Sequence, residues 1–221
     1  RFTHEFKFIK EIGSGAFGRV VEAEHFLDKW KYAVKQIAFQ RKEDKVEKIL
    51  REVQTMAKFD HPNIVRYYGA WIERPPQVFF FKFRVKLFWS IFYMPTVLCN
   101  YSLEDWLSEN EQQPRDHQKM RVLFKQLVEA VAYIHSKDVI HRDLKPSNIL
   151  FDEKDGIRVC DLGIATEIFE AETLSTRTIT GTPLYSGPEQ SSWRYGRKVD
   201  VFALGLIYAE MSVNMTSDVR E

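Results

Sequence analysis

One short stretch of the sequence carries most of its chemical information. It reads HRDLKPSN over residues 141–148, and Asp161-Leu162-Gly163 follows it. Asp143 could accept the proton of a substrate hydroxyl or orient that hydroxyl for in-line attack, and Lys145 could neutralise a transferring phosphoryl group. Asn148 and Asp161 offer the hard oxygen ligands that Mg²⁺ prefers. Because phosphoryl transfer depends mainly on positioning and charge compensation, this stretch predicts a phosphoryl-transfer site.

A glycine-rich turn lies near the start of the chain, in Gly13-Ser14-Gly15-Ala16-Phe17-Gly18. Glycines allow backbone N–H groups to approach phosphate oxygens without a Cβ in the way. The same spacing occurs in dinucleotide-binding folds, where the third glycine opens a helix. Here Val20 and Val21 continue as a strand, which favours a hairpin lying over phosphates. Taken alone, the pattern also fits an ordinary glycine-rich turn.

A lysine and a glutamate further along the chain form a candidate ion pair. Lys35 ends an apolar strand that contains Ala33, where a lysine could also simply reach solvent. Glu52 falls on the apolar stripe of a helix predicted over Glu43–Phe59, and a carboxylate in that position is costly unless it is paired. We therefore predict that Lys35 pairs with Glu52 and contacts the α and β phosphates of a nucleotide. A solvated edge position for Glu52 is the alternative.

Length and composition limit the other possibilities. A chain of 221 residues forms one large domain or two small lobes, and its 44% hydrophobic residues are typical of a globular protein. The formal net charge of +1 gives no support for bulk affinity for nucleic acid, so we expect no direct nucleic-acid partner.

The two cysteines, Cys99 and Cys160, lack metal-ligand spacing and indicate a reducing compartment. We find no signal peptide and no apolar run long enough to span a membrane.

Hydrophobic periodicity divides the chain in two. The first third has the pattern of antiparallel strands, near residues 6–12, 20–23 and 32–37, followed by the helix over Glu43–Phe59. The second half is mainly helical, with helices over residues 103–107, 120–135 and 199–211 and strand-like runs over 149–151 and 157–159. We therefore predict an α+β fold, with a β-rich N-lobe over residues 1–99 and a helical C-lobe over residues 100–221.

Together these motifs resemble those of eukaryotic protein kinases, from about Phe6 to Met211. The resemblance implies a two-lobed protein-kinase fold that uses ATP and Mg²⁺, with the C-lobe truncated after the buried helix carrying Asp200. Lys145-Pro146-Ser147-Asn148 indicates serine/threonine rather than tyrosine specificity. The site residues that the resemblance implies are catalytic Asp143, Lys145, Lys35 and Glu52; nucleotide-binding Gly13, Ser14, Gly15, Ala16, Phe17, Gly18, Val20, Ala33 and Lys35; and metal-binding Asn148 and Asp161.

The resemblance also implies supporting roles around this centre. His141, Leu162 and Met56 would stack as a spine that couples the helix of Glu52 to the active site. Asp200 resembles the buried helix aspartate that holds the backbone of the catalytic loop.

An activation segment would lie between Gly163 and Gly187. Arg142, before the catalytic aspartate, implies a loop that is ordered by phosphorylation. Thr178 and Thr180 are the candidate phosphosites, because a phosphate there could pair with Arg142. A solvated polar loop explains any single one of these hydroxyls equally well.

Three stretches resemble the kinases of the translation initiation factor 2 alpha subunit: residues 63–73, 98–107 and 185–190. That family phosphorylates a serine of the initiation factor under stress, slows protein synthesis, and forms back-to-back homodimers through the N-lobe. The resemblance thus implies a cytoplasmic kinase, or the cytosolic portion of a larger protein, with this substrate. The alternatives are another serine/threonine kinase, such as one of the mitotic-inhibitor type, and a truncated, inactive fragment that only binds nucleotide or a partner.

The sequence departs from the family pattern in several places. Leu162 replaces the usual phenylalanine, and Gly187 stands where alanine is usual, but neither change removes a catalytic group. Residues 78–94 are strongly aromatic where these kinases carry a polar insert, which indicates either a genuine aromatic strand pair or a mis-spliced stretch.

Two expectations follow from these departures. The aromatic stretch leaves the gatekeeper position before the hinge open between Met94 and Thr96. The chain stops at Glu221, where a kinase domain normally continues through several more helices, so we expect a fragment or truncated product in which residues 199–211 expose an apolar patch.

Overall fold

The computed structural model describes residues 1–15, 18–40, 50, 53–73, 89–162, 166–167, 183–191 and 195–213. The chain forms two compact units, the first comprising Arg1–Ala57 and Arg66–Leu98 and the second comprising Lys58–Val65 and Cys99–Glu221. The main division thus falls at Leu98, one residue before the predicted end of the N-lobe. Residues 58–65 group with the second unit because Val65 N–H donates to Val159 O at 2.9 Å and Val159 N–H donates to Asn63 O at 2.8 Å.

The first unit contains a five-stranded antiparallel sheet with strand order β1-β2-β3-β5-β4. Its elements are a short helix α1 (Phe2–Glu5), β1 (Phe6–Gly15), β2 (Gly18–His25), β3 (Lys31–Gln40), β4 (Trp71–Glu73) and β5 (Trp89–Val97). The three predicted strands are confirmed, because alternate apolar residues such as Val21, Ala23 and Val34 are completely or almost completely buried. In β1, however, Phe8 and Ile12 are exposed.

The structure describes only the end of the helix predicted over Glu43–Phe59. Residues 53–56 are helical, and Ala57 N–H donates to Val53 O at 2.9 Å. Met56 is buried, as its place on the apolar stripe predicts, whereas Ala57, which was predicted on the same stripe, is exposed. The earlier part of this helix, Leu50 excepted, lies outside the described residues.

Part of the aromatic stretch over residues 78–94 is a strand within the sheet. Trp89–Val97 form β5, which pairs with β3 on one side and β4 on the other. Phe92, Tyr93 and Met94 are buried there, so the end of the stretch belongs to the core of the first unit. Residues 78–88 lie outside the described residues.

The second unit contains the predicted helices and short strands. Its elements are β6 (Tyr101–Ser102), α2 (Leu103–Glu109), α3 (His117–Ser136), β7 (Val139–Ile140), β8 (Ile149–Phe151), β9 (Ile157–Val159), β10 (Thr166–Glu167), α4 (Lys198–Ser212) and the 3₁₀ turns Pro146–Asn148, Pro183–Tyr185 and Pro188–Ser191. The apolar face of α3, including Leu123, Leu127 and Ile134, is fully buried. The carboxylate of Asp116 caps α3 by accepting bonds from Gln118 N and Lys119 N at 2.9 and 3.0 Å.

Helix α4 is buried on one face and exposed on the other. Ala203, Ile207 and Met211 are buried, whereas Val201 and Phe202 are 58% and 40% exposed. The expected apolar patch over residues 199–211 is therefore present. The strong apolar character of this helix predicts burial on most sides, and that expectation is wrong for the face that carries Val201.

Neither cysteine forms a disulfide, and both are half-buried. Burial, the largest cause, raises the pKa of the Cys99 thiol to about 11, so this thiol is protonated at neutral pH. Among the residues that the structure describes, no helix combines the length and apolarity needed to cross a membrane.

Two glycines of the β1–β2 hairpin make a matched pair for a stability test. Gly18 has φ +123°, and a Cβ there would lie 2.3 Å from Gln36 O, whereas a Cβ on Gly13 would meet nothing within 4 Å. We expect Gly18→Ala to lower the free energy of unfolding by at least about 2 kcal/mol. Gly13→Ala should change it by less than about 0.5 kcal/mol. Urea unfolding of both variants checks this, and equal losses would contradict it.

Candidate active site

Three of the predicted site residues in the second unit are in direct contact. Lys145 Nζ lies 3.1 Å from Asp143 Oδ2, in an ion pair whose side chains are 25% and 14% exposed. Asn148 Nδ2 donates both to Asp143 O, at 2.8 Å, and to Asp143 Oδ2, at 3.1 Å. The 3₁₀ turn Pro146–Asn148 produces this geometry, because it returns the chain so that residue 148 contacts residue 143. One oxygen of Asp143 is thus held by a cation and an amide.

Hydrogen bonds extend this cluster towards Asp161. Cys160 N–H donates to Asn148 O at 2.9 Å, and His141 Nε2 lies 3.0 Å from Cys160 O. Asp143 N–H donates to His141 Nδ1 at 3.3 Å, so the neutral His141 carries its proton on Nε2. The ring of His141 thus connects the backbone of Asp143 to Cys160, the residue that precedes Asp161. His141 is fully buried.

Asp161 adopts an uncommon backbone conformation. Its φ is +57°, in the left-handed region that aspartate and asparagine enter more readily than most other residues. Arg142 has φ +72° in the catalytic loop. Residues held in such conformations often cluster at functional sites, where the surrounding structure compensates for the strain.

Asp200 on helix α4 compensates for this strain at the catalytic loop. Its carboxylate is 1% exposed and accepts bonds from His141 N–H and Arg142 N–H, both at 2.9 Å. It also lies 2.7 Å from His135 Nε2 on α3. The contact that the resemblance implies for Asp200 is therefore present, whereas the sequence alone gave no sign of the bond to His135.

The first unit places several predicted nucleotide-binding residues on one face of its sheet. Gly13 pairs with Val20 across the β1–β2 hairpin, and Val20 lies opposite Lys35 on β3. Directly opposed residues of antiparallel strands share a face, as do residues two apart. Val20, Ala33 and Lys35 therefore share the face opposite to that of the core residue Val34.

The same register bears on the gatekeeper position. Met94 lies opposite Lys35, and Thr96 lies opposite Ala33, so both candidates are on the predicted nucleotide face. Thr96 Oγ1 donates to Ala33 O at 3.2 Å, and β5 ends one residue later at Val97. Thr96 is the last residue of β5 on this face, and the choice between Met94 and Thr96 as the gatekeeper stays a prediction.

Several predicted residues lie outside the described part of the chain. They are Glu52, the proposed partner of Lys35; Ala16 and Phe17 at the tip of the hairpin; Gly163; and the candidate phosphosites Thr178 and Thr180. Roles proposed for these residues stay predictions.

The donor atoms of the second unit fit a magnesium ion that is also bound by phosphate oxygens. Among the described residues, no group of three or more His, Cys, Asp or Glu side chains could enclose a metal ion. Mg²⁺ usually needs only one or two protein ligands, because phosphates and water complete its shell. Both protons of Asn148 Nδ2 are used in the bonds to Asp143, which leaves Oδ1 as a ligand. Asn148 and Asp161 are thus suitable ligands.

Comparison with known proteins identifies the family. The protein kinase domain matches residues 6–217, nearly the whole chain. This chain belongs to the protein kinase family. The predicted α+β class, the two-lobed protein-kinase fold and the serine/threonine type are thereby confirmed.

The similar kinases also include the predicted subfamily. The interferon-induced, double-stranded RNA-activated protein kinase of Rattus norvegicus is 38% identical over 96% of this chain, and that of Mus musculus is 37% identical over 96%. The eIF-2-alpha kinase GCN2 of Arabidopsis thaliana is 29% identical over 96%. The chain spans 41%, 40% and 20% of these three relatives, respectively.

Proposed function

We propose that this kinase transfers the γ-phosphate of ATP to a serine of a protein substrate. The contact among Asp143, Lys145 and Asn148 carries this proposal, because it joins a proton acceptor, a cation and a metal ligand within 3.1 Å. These three groups supply the positioning and charge compensation that phosphoryl transfer requires.

Each residue has a distinct part in the proposed reaction. Asp143 binds and orients the substrate hydroxyl and accepts its proton, while the Lys145 ammonium compensates the charge on the transferring phosphoryl group. Asn148 and Asp161 would hold Mg²⁺, which neutralises phosphate charge when it is bound. In the first unit, the glycine-rich hairpin and Lys35 would bind the phosphates of ATP, with Glu52 as the proposed partner of Lys35.

We further propose that the substrate is the alpha subunit of translation initiation factor 2. The Arabidopsis relative is named as a kinase of this protein, and the chain aligns with that relative over 96% of its own length. The stretches over residues 63–73, 98–107 and 185–190 resemble the same subfamily. A role in the stress control of translation, and a cytoplasmic location, would follow from this substrate.

A phosphotransfer assay tests both proposals. Purified chain, radiolabelled ATP, Mg²⁺ and the recombinant alpha subunit are combined, and phosphoserine is identified by mass spectrometry. Asp161→Asn is the matched inactive variant, because asparagine tolerates the φ of +57° at this position better than alanine does. We expect Asp161→Asn to reduce incorporation by about 100-fold or more.

Equal incorporation by the wild type and Asp161→Asn would favour a fragment that only binds nucleotide or a partner. Equal wild-type rates on the alpha subunit and on an unrelated basic protein would argue against the proposed substrate.

We also propose that the first unit mediates a homodimer. A surface cavity of about 240 Å³ there is lined by residues that include Arg1, Glu5, Asp28 and Tyr68. Arg1 Nε and Glu5 Oε2 are 3.0 Å apart and remain partly exposed. Opposite charges side by side allow a surface to pair with its own copy across a twofold axis.

Sedimentation velocity measures this self-association. Glu5→Arg should shift the protein towards the monomer, whereas the same change at the exposed Glu129, in the second unit, should leave the distribution unchanged. A monomeric wild type at tens of micromolar would contradict the dimer.

We propose finally that Thr178 and Thr180 are autophosphorylated. Support comes from the chemistry of Arg142, whose guanidinium could pair with a phosphate. Phosphopeptide mapping after incubation with ATP tests this, and phosphate found only on other residues would contradict it.

A further inference from the structure

The carboxamide of Gln190 connects two segments of the second unit. Its Oε1 accepts a hydrogen bond from Gly187 N–H at 2.8 Å, and its Nε2 donates to Arg142 O at 3.3 Å. Gln190 is 9% exposed, so water competes weakly for these bonds. The reversed amide would place donor against donor and acceptor against acceptor, so the two bonds also determine the orientation of the side chain.

The acceptor of the second bond belongs to the peptide group that leads into Asp143. The carbonyl of this peptide is Arg142 O, and its N–H is that of Asp143, which donates to His141 Nδ1 at 3.3 Å. The preceding N–H groups of His141 and Arg142 are bound by Asp200. Gln190 thus holds the side of the loop that Asp200 does not reach.

We propose that Gln190 is a positioning residue for Asp143, which it acts on through the peptide between Arg142 and Asp143. The inference rests on the proposed kinase function, since it assigns a residue to that reaction. Gln190 lies in the 3₁₀ turn Pro188–Ser191, directly after the predicted activation segment. Its side chain therefore couples the end of that segment to the loop that carries the proton acceptor.

The substitution Gln190→Glu keeps the bond from Gly187 N–H and removes the bond to Arg142 O, with little change in the shape of the side chain. A carboxylate still accepts from Gly187 N–H, but it places a second oxygen against Arg142 O in place of a donor. At pH 8 we expect kcat to fall about tenfold with the KM for ATP within about threefold, because Asp143 is misplaced while the nucleotide contacts remain.

A pH profile then distinguishes positioning from a general structural defect. Protonation of the new carboxyl would give it a donor for Arg142 O again, so the ratio of variant to wild-type kcat should rise as the pH is lowered from 8 to 6. Gln190→Met, which cannot titrate, should keep a constant deficit over the same range. Gln118→Glu, the same chemical change at an exposed position, should match wild type throughout.

Three outcomes would overturn the proposal: a kcat for Gln190→Glu within twofold of wild type at pH 8, a ratio of variant to wild-type kcat that falls as the pH is lowered, or an equal deficit in Gln118→Glu. Thermal unfolding shows which variants are folded. If Gln190→Glu does not fold, Gln190→Met decides, and a kcat within twofold of wild type then overturns the proposal.

Hydrogen exchange tests the contact between Gln190 and Arg142 O without any need for catalysis. In Gln190→Met, backbone amides over residues 141–145 should exchange about tenfold faster than in wild type, because the hydrogen bond from Gln190 to Arg142 O is lost. Equal exchange would overturn the inference. The wild type could lack ATP-dependent phosphotransfer while exchange still increases in the variant. That result would contradict the proposed function but support the role of Gln190 in holding the loop.

Discussion

Asp143→Asn is expected to lower kcat for phosphotransfer by about 10²- to 10⁴-fold, the range that a positioned general base contributes. The asparagine side chain has nearly the same shape, but it cannot accept the hydroxyl proton. It also removes the charge that pairs with Lys145 Nζ at 3.1 Å. The 2.8 Å bond from Asn148 Nδ2 to the backbone O of residue 143 does not depend on that charge, so the loop should keep its conformation.

The measurement is steady-state phosphotransfer at saturating ATP, together with the melting temperature of each protein. Asp155→Asn provides the matched control, because Asp155 is exposed and its φ of +58° is one that asparagine tolerates. This control should retain wild-type kcat. A fall of less than tenfold for Asp143→Asn, with the fold intact, would remove Asp143 from the proposed mechanism.

Asp200→Asn is expected to cause a large loss of stability, about 2–4 kcal/mol in the free energy of unfolding. The carboxylate accepts from His141 N–H, Arg142 N–H and the ring of His135, all within 2.9 Å, and it is 1% exposed. An asparagine would direct its own N–H donors at one of these groups, which would then have no acceptor. For a protein of this size the loss corresponds to a fall in Tm of about 5–15 °C.

Asp138→Asn is the control for this prediction. Asp138 pairs with Arg197 at 2.8 Å, but its side chain is 61% exposed, so solvent screens the pair. We expect a loss of less than about 1 kcal/mol, which calorimetry or urea unfolding can resolve from the larger one. If Asp138→Asn and Asp200→Asn gave equal losses, the buried carboxylate would not be the main support of the catalytic loop.

Local sequence was sufficient to predict most elements of this protein. The short apolar runs of β2 and β3 predict the observed strands, in which Val21, Ala23 and Val34 are completely buried. The helical spacing of Leu123, Leu127 and Ile134 predicts α3, because residues at that spacing share one buried face. The residues of the catalytic loop were equally predictable, since their chemistry and order are contained in the stretch 141–148.

Predictions from local pattern failed where burial depends on neighbours distant in sequence. Apolar residues of β1 and α4, such as Phe8 and Val201, are exposed although their segments have the character of core elements. Hydrophobicity predicts that a side chain favours burial, but whether another element covers it depends on the packing of the fold.

The family, the kinds of chemical group at the site and the order of the elements could be read from the amino-acid sequence, because these depend on residue type and local spacing. The resemblance predicted the contact of Asp200 with the catalytic loop, but the contacts of His135 and Gln190 became visible only in the folded structure. Folding brings Asp200 and Gln190 to residues 135–142 across separations of 48 to 65 residues. Such contacts depend on how helices and turns pack, so no local sequence pattern predicts them. Buried polar groups form these hydrogen bonds only when the chain folds.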